Sequence, residues 1–79
     1  MDKFEIGQTI RIKSWNELRK EFGTSGRGNK KIEGAYGDMY KGDMAAMFCD
    51  KTFVVKKLYD YTAVIQGYCI SPDFCELVE

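Results

Sequence analysis

Ser14-Trp15-Asn16-Glu17 joins two runs of different character with no loop between them. The run before it, Gln8 to Lys13, alternates like a half-buried strand, and Asn16 to Phe22 has the spacing of an amphipathic helix. Ser14 can accept a hydrogen bond from the N–H of the third helical residue, while Glu17 can reach back to the N–H of Ser14. The sequence therefore predicts a strand, an abruptly capped helix and a large aromatic anchor.

The apolar side chains around this junction predict a scaffold. Trp15, Leu18 and Phe22 share one helix face, which must pack into a core. Ile6, Ile10 and Ile12 share one face of the strand. The helix is expected to end at Gly23, because glycine readily adopts the left-handed conformation just past a helix end. We interpret five residues as structural, with Trp15 buried against the core: Ser14, Trp15, Glu17, Leu18 and Phe22.

The remaining chain predicts a loop, a second helix and short strands. Residues 24–31 contain no apolar side chain and predict a mobile loop, while 32–37 fit either a short strand or more loop. Asp38 is expected to cap the second helix, whose apolar face would carry Tyr40, Met44, Met47 and Phe48. Strands are expected at 52–56, 61–65, 68–70 and 77–78. They should be separated by a turn over 58–60, a tight turn at Gly67 and a single helical turn at Pro72.

Several short strands with tight turns favour a mainly β fold with inserted helices, of the α+β class. We expect a small SH3-like barrel in the order strand–helix–loop–helix–strands, with a one-turn helix before the last strand. A chain of 79 residues is too short to divide. Residues 1–79 are therefore expected to form a single SH3-like domain, with a helical and loop insertion at about 14–50.

Composition argues against several classes of function. The 12 basic and 12 acidic residues balance, whereas a dedicated nucleic-acid module usually has a basic excess. Histidine, the commonest general base near neutral pH, is absent. The aspartates are expected to serve caps and turns. We therefore predict no enzyme activity, no metal ion and no cofactor, and the catalytic candidates set aside are Asp38, Asp43, Asp50, Asp60 and Asp73.

The first residues, the apolar runs and the cysteines predict the compartment in which the protein acts. The first residues lack the basic and apolar regions of a secretion signal, and no apolar run approaches the ~20 residues that span a bilayer. None of the three cysteines belongs to a Cys-x-x-Cys pair. We expect reduced thiols in a cytoplasmic protein without a membrane segment, with Cys49 as core filler on a helix face.

A longer pattern covers most of the chain outside 24–38. It runs Gly7-x-x-Ile10-x-Ile12-x-Ser14-Trp15-x-x-Leu18, then Phe22-Gly23, then Met44-x-x-Met47-x-Cys49 before Phe53-x-Val55, and ends in Ile70-Ser71-x-Asp73-x-x-Glu76. This pattern resembles small SH3-like barrel proteins of bacteriophages and Gram-positive gut bacteria, most of them uncharacterised. Asp50 departs from it, since a glycine is expected after the cysteine. The resemblance implies no catalytic residues, and it implies a phage-encoded protein acting on a host protein, for example by inhibiting a defence nuclease.

Protein binding is the function that the side chains favour. Aromatic residues and methionine are enriched in interface cores, and the chain has 5 Tyr, 5 Phe and 1 Trp. A core this small cannot enclose them all, although scattered exposure without a patch is the alternative. Met39 is a further candidate for the exposed surplus. The predicted partner-binding residues are Tyr36, Tyr40, Tyr59, Tyr61 and Tyr68.

Nucleic-acid binding is the alternative function. Arg27, Lys30 and Lys31 share a glycine-containing loop, and small barrels often bind single strands through aromatic faces. The basic loop 24–31 would then contact phosphates while surface tyrosines stack on bases. No Gly-Lys-Ser/Thr follows the loop glycines, so a phosphate-binding loop is not predicted. The same basic loop could instead contact an acidic protein surface.

Overall fold

The computed structural model describes residues 1–78 and has two helices among short strands. The elements are β1 (Thr9–Ile12), α1 (Trp15–Phe22), β2 (Lys31–Glu33), β3 (Asp38–Tyr40), α2 (Asp43–Phe48), β4 (Thr52–Val54), β5 (Leu58–Tyr59), β6 (Thr62–Ile65), β7 (Tyr68–Ile70) and β8 (Cys75–Leu77). Single 3₁₀ turns lie at Arg27–Asn29 and Pro72–Phe74. This composition confirms the α+β class.

The strands pair antiparallel in three sheets, ordered β4-β1-β8, β2-β3 and β5-β6-β7. β1 is the central strand of the first sheet, with Ile10 opposite both Phe53 and Leu77. Residues 55–57 carry the chain from β4 in the first sheet to β5 in the third. Within residues 1–78 the sheets do not join into one closed sheet. The structure therefore establishes the α+β class and not the SH3-like barrel.

One core unites the three sheets and both helices. Alternation along β1 directs Ile10 and Ile12 inward and Arg11 outward. Phe48 of α2 and Phe74 of the second 3₁₀ turn add the largest buried rings. The other hydrophobic side chains that are at most 1% exposed are Leu18, Ile32, Met39, Val55, Ala63, Ile70 and Cys75.

The predicted capping box is present at the start of α1. The Oγ of Ser14 accepts from the N–H of Glu17 at 3.2 Å, and a carboxylate oxygen of Glu17 accepts from the N–H of Ser14 at 3.4 Å. Trp15 is only half-buried, because a side chain this large is rarely enclosed in so small a core. Phe22 is 36% exposed and meets Phe74 edge-on at 5.7 Å.

The predicted face of the first strand is wrong at one position. Ile6 is 60% exposed, whereas Ile10 and Ile12 are fully buried. A turn in which the N–H of Gln8 donates to the carbonyl of Glu5, with Gly7 at φ +93°, interrupts the alternation before β1 begins. The periodicity therefore applies only after Gly7.

The predicted second helix begins in the wrong place. Asp38 starts β3 and caps no helix, and α2 begins at Asp43, after Gly42 at φ +100°. Because β3 pairs with β2, its side chains alternate: Met39 is fully buried, and Tyr40 is half exposed. Met39 is thus a core residue rather than part of the exposed surplus.

Two connections also differ from the predictions. Residues 24–31 are partly ordered, since Ser25 bridges to Lys31, which belongs to β2. The predicted turn over 58–60 is wrong, because Leu58–Tyr59 forms β5 and pairs with β6. The tight turn at Gly67 and the helical turn at Pro72 are confirmed.

No helix within residues 1–78 is both long enough and apolar enough to cross a bilayer. The longer of the two, α1, has only 8 residues. A spanning helix needs about 20.

Candidate functional site

Three of the predicted tyrosines border one surface groove. Tyr36, Tyr59 and Tyr61 line it together with Asp60, Thr62 and Cys69, and its volume is about 450 Å³. We call this surface the tyrosine groove. Its rings are open to solvent, since Tyr36 is 50%, Tyr59 64% and Tyr61 63% exposed. The groove thus concentrates aromatic surface that the core does not enclose.

A stacked pair of rings connects two turns of different sheets. Tyr36 lies in the turn between β2 and β3, and Tyr61 lies in the turn between β5 and β6. Their ring centroids are 4.9 Å apart with an interplanar angle of 28°. Such a pair contributes about 0.5–1.5 kcal/mol beyond the area that it buries. The stack therefore fixes one wall of the tyrosine groove.

Hydrogen bonds from the second 3₁₀ turn position Tyr36. The N–H of Tyr36 donates to the Oγ of Ser71 at 3.2 Å, and the N–H of Ala35 donates to a carboxylate oxygen of Asp73 at 2.9 Å. The hydroxyl of Ser71 in turn donates to Asp73. The side chain of Ser71 makes no capping hydrogen bond to its own helical turn and instead holds the turn between β2 and β3 that carries Tyr36.

The other side of the groove is a tight turn with a carboxylate at its tip. Asp60 has φ +52°, a left-handed conformation that aspartate tolerates better than most residues. The hydroxyl of Thr62 closes the turn by donating to the carbonyl of Tyr59 at 2.7 Å. In the described part of the chain, Asp60 belongs to none of the ion pairs.

The other two predicted tyrosines lie elsewhere. Tyr68 is 42% exposed and meets the buried ring of Phe48 edge-on at 5.3 Å. Tyr40 borders a separate depression of about 210 Å³ with Ser25, Gly26, Arg27, Lys30 and Lys31. The five tyrosines therefore do not form one patch, and only the tyrosine groove brings several of them together.

The predicted basic residues surround Tyr40. Lys31 pairs with Glu33 at 3.3 Å, and this hydrogen bond raises the pKa of Lys31. Arg27 and Lys30 are exposed and belong to none of the ion pairs within residues 1–78. The basic loop and Tyr36 lie at opposite ends of the β2–β3 hairpin.

A charge cluster on the first sheet is a feature that the sequence analysis missed. Arg11 donates to Glu17 at 2.5 Å and to Asp50 and Glu76 at 2.8 Å each. Glu76 lies directly opposite Arg11 on β8. These hydrogen bonds, with Glu17 first, raise the pKa of Arg11. The cluster joins α1, the turn before β4 and β8 to β1, so we interpret it as scaffold.

The backbone at Asp50 has a conformation that suits the glycine expected at this position. Its φ is +63°, the left-handed region that glycine adopts with least strain. Aspartate tolerates this conformation and also supplies a carboxylate to Arg11. The turn before β4 therefore has a backbone conformation typical of glycine, and its aspartate forms an ion pair with Arg11.

Glu17→Gln is expected to reduce the dependence of stability on pH. The hydrogen bond from Arg11 lowers the pKa of Glu17 from 4.5 to about 2. The ionised carboxylate therefore stabilises the folded chain fully above about pH 4.5, and this contribution disappears as the pH falls through about 2. Glutamine can still complete the capping box. Urea midpoints at about pH 6 and about pH 3 measure the difference.

Glu5→Gln is the matched control, since Glu5 is exposed and belongs to none of the ion pairs within residues 1–78. It should lose as much of its urea midpoint between the two pH values as the unmodified chain. An equally steep loss in Glu17→Gln would show that the contact with Arg11 does not couple folding to pH.

The three cysteines are free thiols in different surroundings. Cys69 is exposed in the tyrosine groove, while Cys49 is half-buried at the end of α2 and Cys75 is fully buried. Burial raises the pKa of Cys49, and it raises that of Cys75 to about 12. Cys69 is the exposed thiol and lines the groove, so it is the thiol best placed to report on the groove.

Comparison with known proteins found no matching protein family, curated protein or solved structure. Within residues 1–78, no three cysteine, aspartate or glutamate side chains form a group that could hold a metal ion. The site is therefore defined by its own geometry, which is a groove of tyrosine rings with one carboxylate.

Proposed function

We propose that this protein is a non-enzymatic binding module that captures a partner protein through the tyrosine groove. The observation that carries the proposal is the stacked pair of Tyr36 and Tyr61, which is held open to solvent beside Tyr59. Tyrosine supplies a large contact area at low conformational cost and is enriched among the residues that dominate binding energy.

The positioning of the rings supports binding rather than incidental exposure. Ser71 and Asp73 hold the backbone of the turn between β2 and β3, and the stack with Tyr61 orients the ring of Tyr36, so less freedom is lost when a partner binds. The groove also lies where turns of two sheets meet, which gives a concave surface that a side chain of a partner can enter.

The double variant Tyr36→Ser with Tyr61→Ser should lose capture of the partner from a cell lysate. Truncating a tyrosine at the centre of an interface costs about 2 kcal/mol or more, or about 30-fold in affinity. Both rings are half exposed or more, so the variant should remain folded, as circular dichroism can verify. Mass spectrometry identifies the captured protein, and interferometry then measures its affinity.

Tyr40→Ser is the matched control, because Tyr40 is as exposed as Tyr36, at 50%, but lies outside the groove. It should capture the partner as well as the unmodified protein. Unchanged capture by the groove variant would argue against the proposal.

A second function is favoured by one observation, namely that Tyr40 lies beside Arg27 and Lys30. An aromatic ring among cations fits a single-stranded nucleic acid, whose bases stack while its phosphates pair with basic residues. In that case Tyr40→Ser, and not the groove variant, would weaken binding to a labelled oligonucleotide, and affinity would fall steeply with salt.

Two finer proposals accompany the main one. An SH3-like arrangement is supported by the segment 52–59, which connects two sheets, and by the 3₁₀ turn before β8. A phage origin, with a host protein such as a defence nuclease as the target, is supported by the sequence resemblance alone. Identification of the captured protein tests the proposed target.

A further inference from the structure

We propose that the tyrosine groove recognises a lysine side chain of the partner, free or N-methylated, through its ammonium group. This inference rests on the proposed function and specifies the chemistry of the same site. Three features of the groove support it: its aromatic faces, its single carboxylate and the absence of basic side chains among its lining residues.

The aromatic faces provide the first part of the argument. The face of an aromatic ring carries negative electrostatic potential and attracts a cation within about 6 Å of the ring centre. Stacking occupies one face each of Tyr36 and Tyr61, and the two side chains are still 50% and 63% exposed. With Tyr59, the groove offers three electron-rich rings within one small volume. The outer faces of a stacked pair point away from each other, so an ammonium group would lie against one ring of the pair, beside Tyr59 and Asp60.

The charge of the groove provides the second part. Among residues 1–78, Asp60 is the only charged residue that lines it, and its carboxylate belongs to none of the ion pairs there. A phosphate or carboxylate of a ligand would be repelled by Asp60 and would meet no basic side chain there. An ammonium group is attracted by Asp60 and by the rings at once.

The proposal is tested by comparing two peptides that differ only in charge. The first carries one trimethyllysine between glycines, and in the second a carbon atom replaces the ammonium nitrogen. Each is titrated into isotope-labelled protein while the amide signals of Tyr36, Tyr59 and Tyr61 are followed by NMR. The charged peptide should shift these signals and bind at least about fivefold more tightly than its neutral isostere.

Variants separate the contributions of the rings and of the carboxylate. Tyr61→Leu should weaken binding of the charged peptide by about fivefold, whereas Tyr61→Phe, which keeps an aromatic face, should not. Asp60→Asn should weaken it by about threefold and leave the neutral peptide unaffected. Protection of Cys69 from alkylation by iodoacetamide, mapped by mass spectrometry, gives an independent measure of occupancy, with half-buried Cys49 as the internal comparison.

The outcomes distinguish this inference from the proposed function. Equal affinity of the two peptides would overturn recognition of a cation while leaving a groove that binds apolar groups. Absence of any shift at the groove, with this peptide and with the same peptide carrying unmethylated lysine, would also overturn the inference. The proposed function would still be decided separately by capture with the Tyr36→Ser and Tyr61→Ser variant. Equal loss of binding in Tyr61→Phe and Tyr61→Leu would likewise contradict a role for the ring face.

Discussion

Phe48→Ala is expected to lower the free energy of unfolding by about 3–5 kcal/mol. The ring is fully buried and meets Phe53 edge-on at 5.9 Å and Tyr68 at 5.3 Å. Its removal leaves a cavity at the end of α2, where these rings cannot close without moving two sheets. A domain of this size has only about 3–5 kcal/mol of stability in reserve. Urea unfolding followed by circular dichroism should therefore find most of the variant unfolded in water.

Trp15→Ala tests whether the loss of stability depends on how completely the side chain is enclosed. Trp15 is larger than Phe48 but only half-buried against the core, so its truncation should cost less, about 1–3 kcal/mol. An equal or larger loss for Trp15→Ala would mean that residue size, rather than enclosure, determines the cost.

Local signals in the sequence predicted the elements that depend on local interactions. Ser14 and Glu17 complete each other's hydrogen bonds over three residues, so the start of α1 could be predicted without knowing the rest of the chain. The turn at Gly67 and the 3₁₀ turn at Pro72 likewise depend on the backbone preferences of single residues.

The beginning of α2 could not be predicted in this way. Tyr40 and Met44 have a helical spacing, but the chain from Asp38 to Tyr40 pairs with β2, and this pairing is a tertiary interaction. A positive φ at Gly42 then separates strand from helix. Gly42, inside the predicted helix, was the available signal in the sequence, because it marks the boundary between β3 and α2.

The candidate site was likewise predictable from the sequence only in part. The excess of aromatic residues predicted exposed tyrosines, because it follows from composition and size. Their grouping could not be predicted, since Tyr36 and Tyr61 meet only because Ser71 and Asp73 hold the turn between β2 and β3. The Arg11 cluster was missed for the same reason, as its three carboxylates come from separate segments.

Gly34→Ala is expected to destabilise the chain by about 1–3 kcal/mol through overpacking. A Cβ at this position would lie 2.6 Å from Cζ of Phe74 and 2.7 Å from the carbonyl oxygen of Gly37. Phe74 is buried and cannot move aside, and the carbonyl of Gly37 already accepts the N–H of Gly34 at 2.8 Å. The turn that carries Tyr36 must therefore open, so binding at the tyrosine groove should weaken together with the urea midpoint.

Gly37→Ala is the matched control within the same turn, because its Cβ would meet only the carbonyl oxygen of Cys69, at 3.4 Å. It should cost less than about 1 kcal/mol. Phe74→Leu removes the ring that blocks Gly34→Ala, so the double variant should be less destabilised than the sum of the single variants by about 0.5–2 kcal/mol. Part of the cost should persist, since the carbonyl of Gly37 remains in place. Additive losses would instead mean that Gly34 acts through the freedom of its backbone rather than through the space that it leaves beside Phe74.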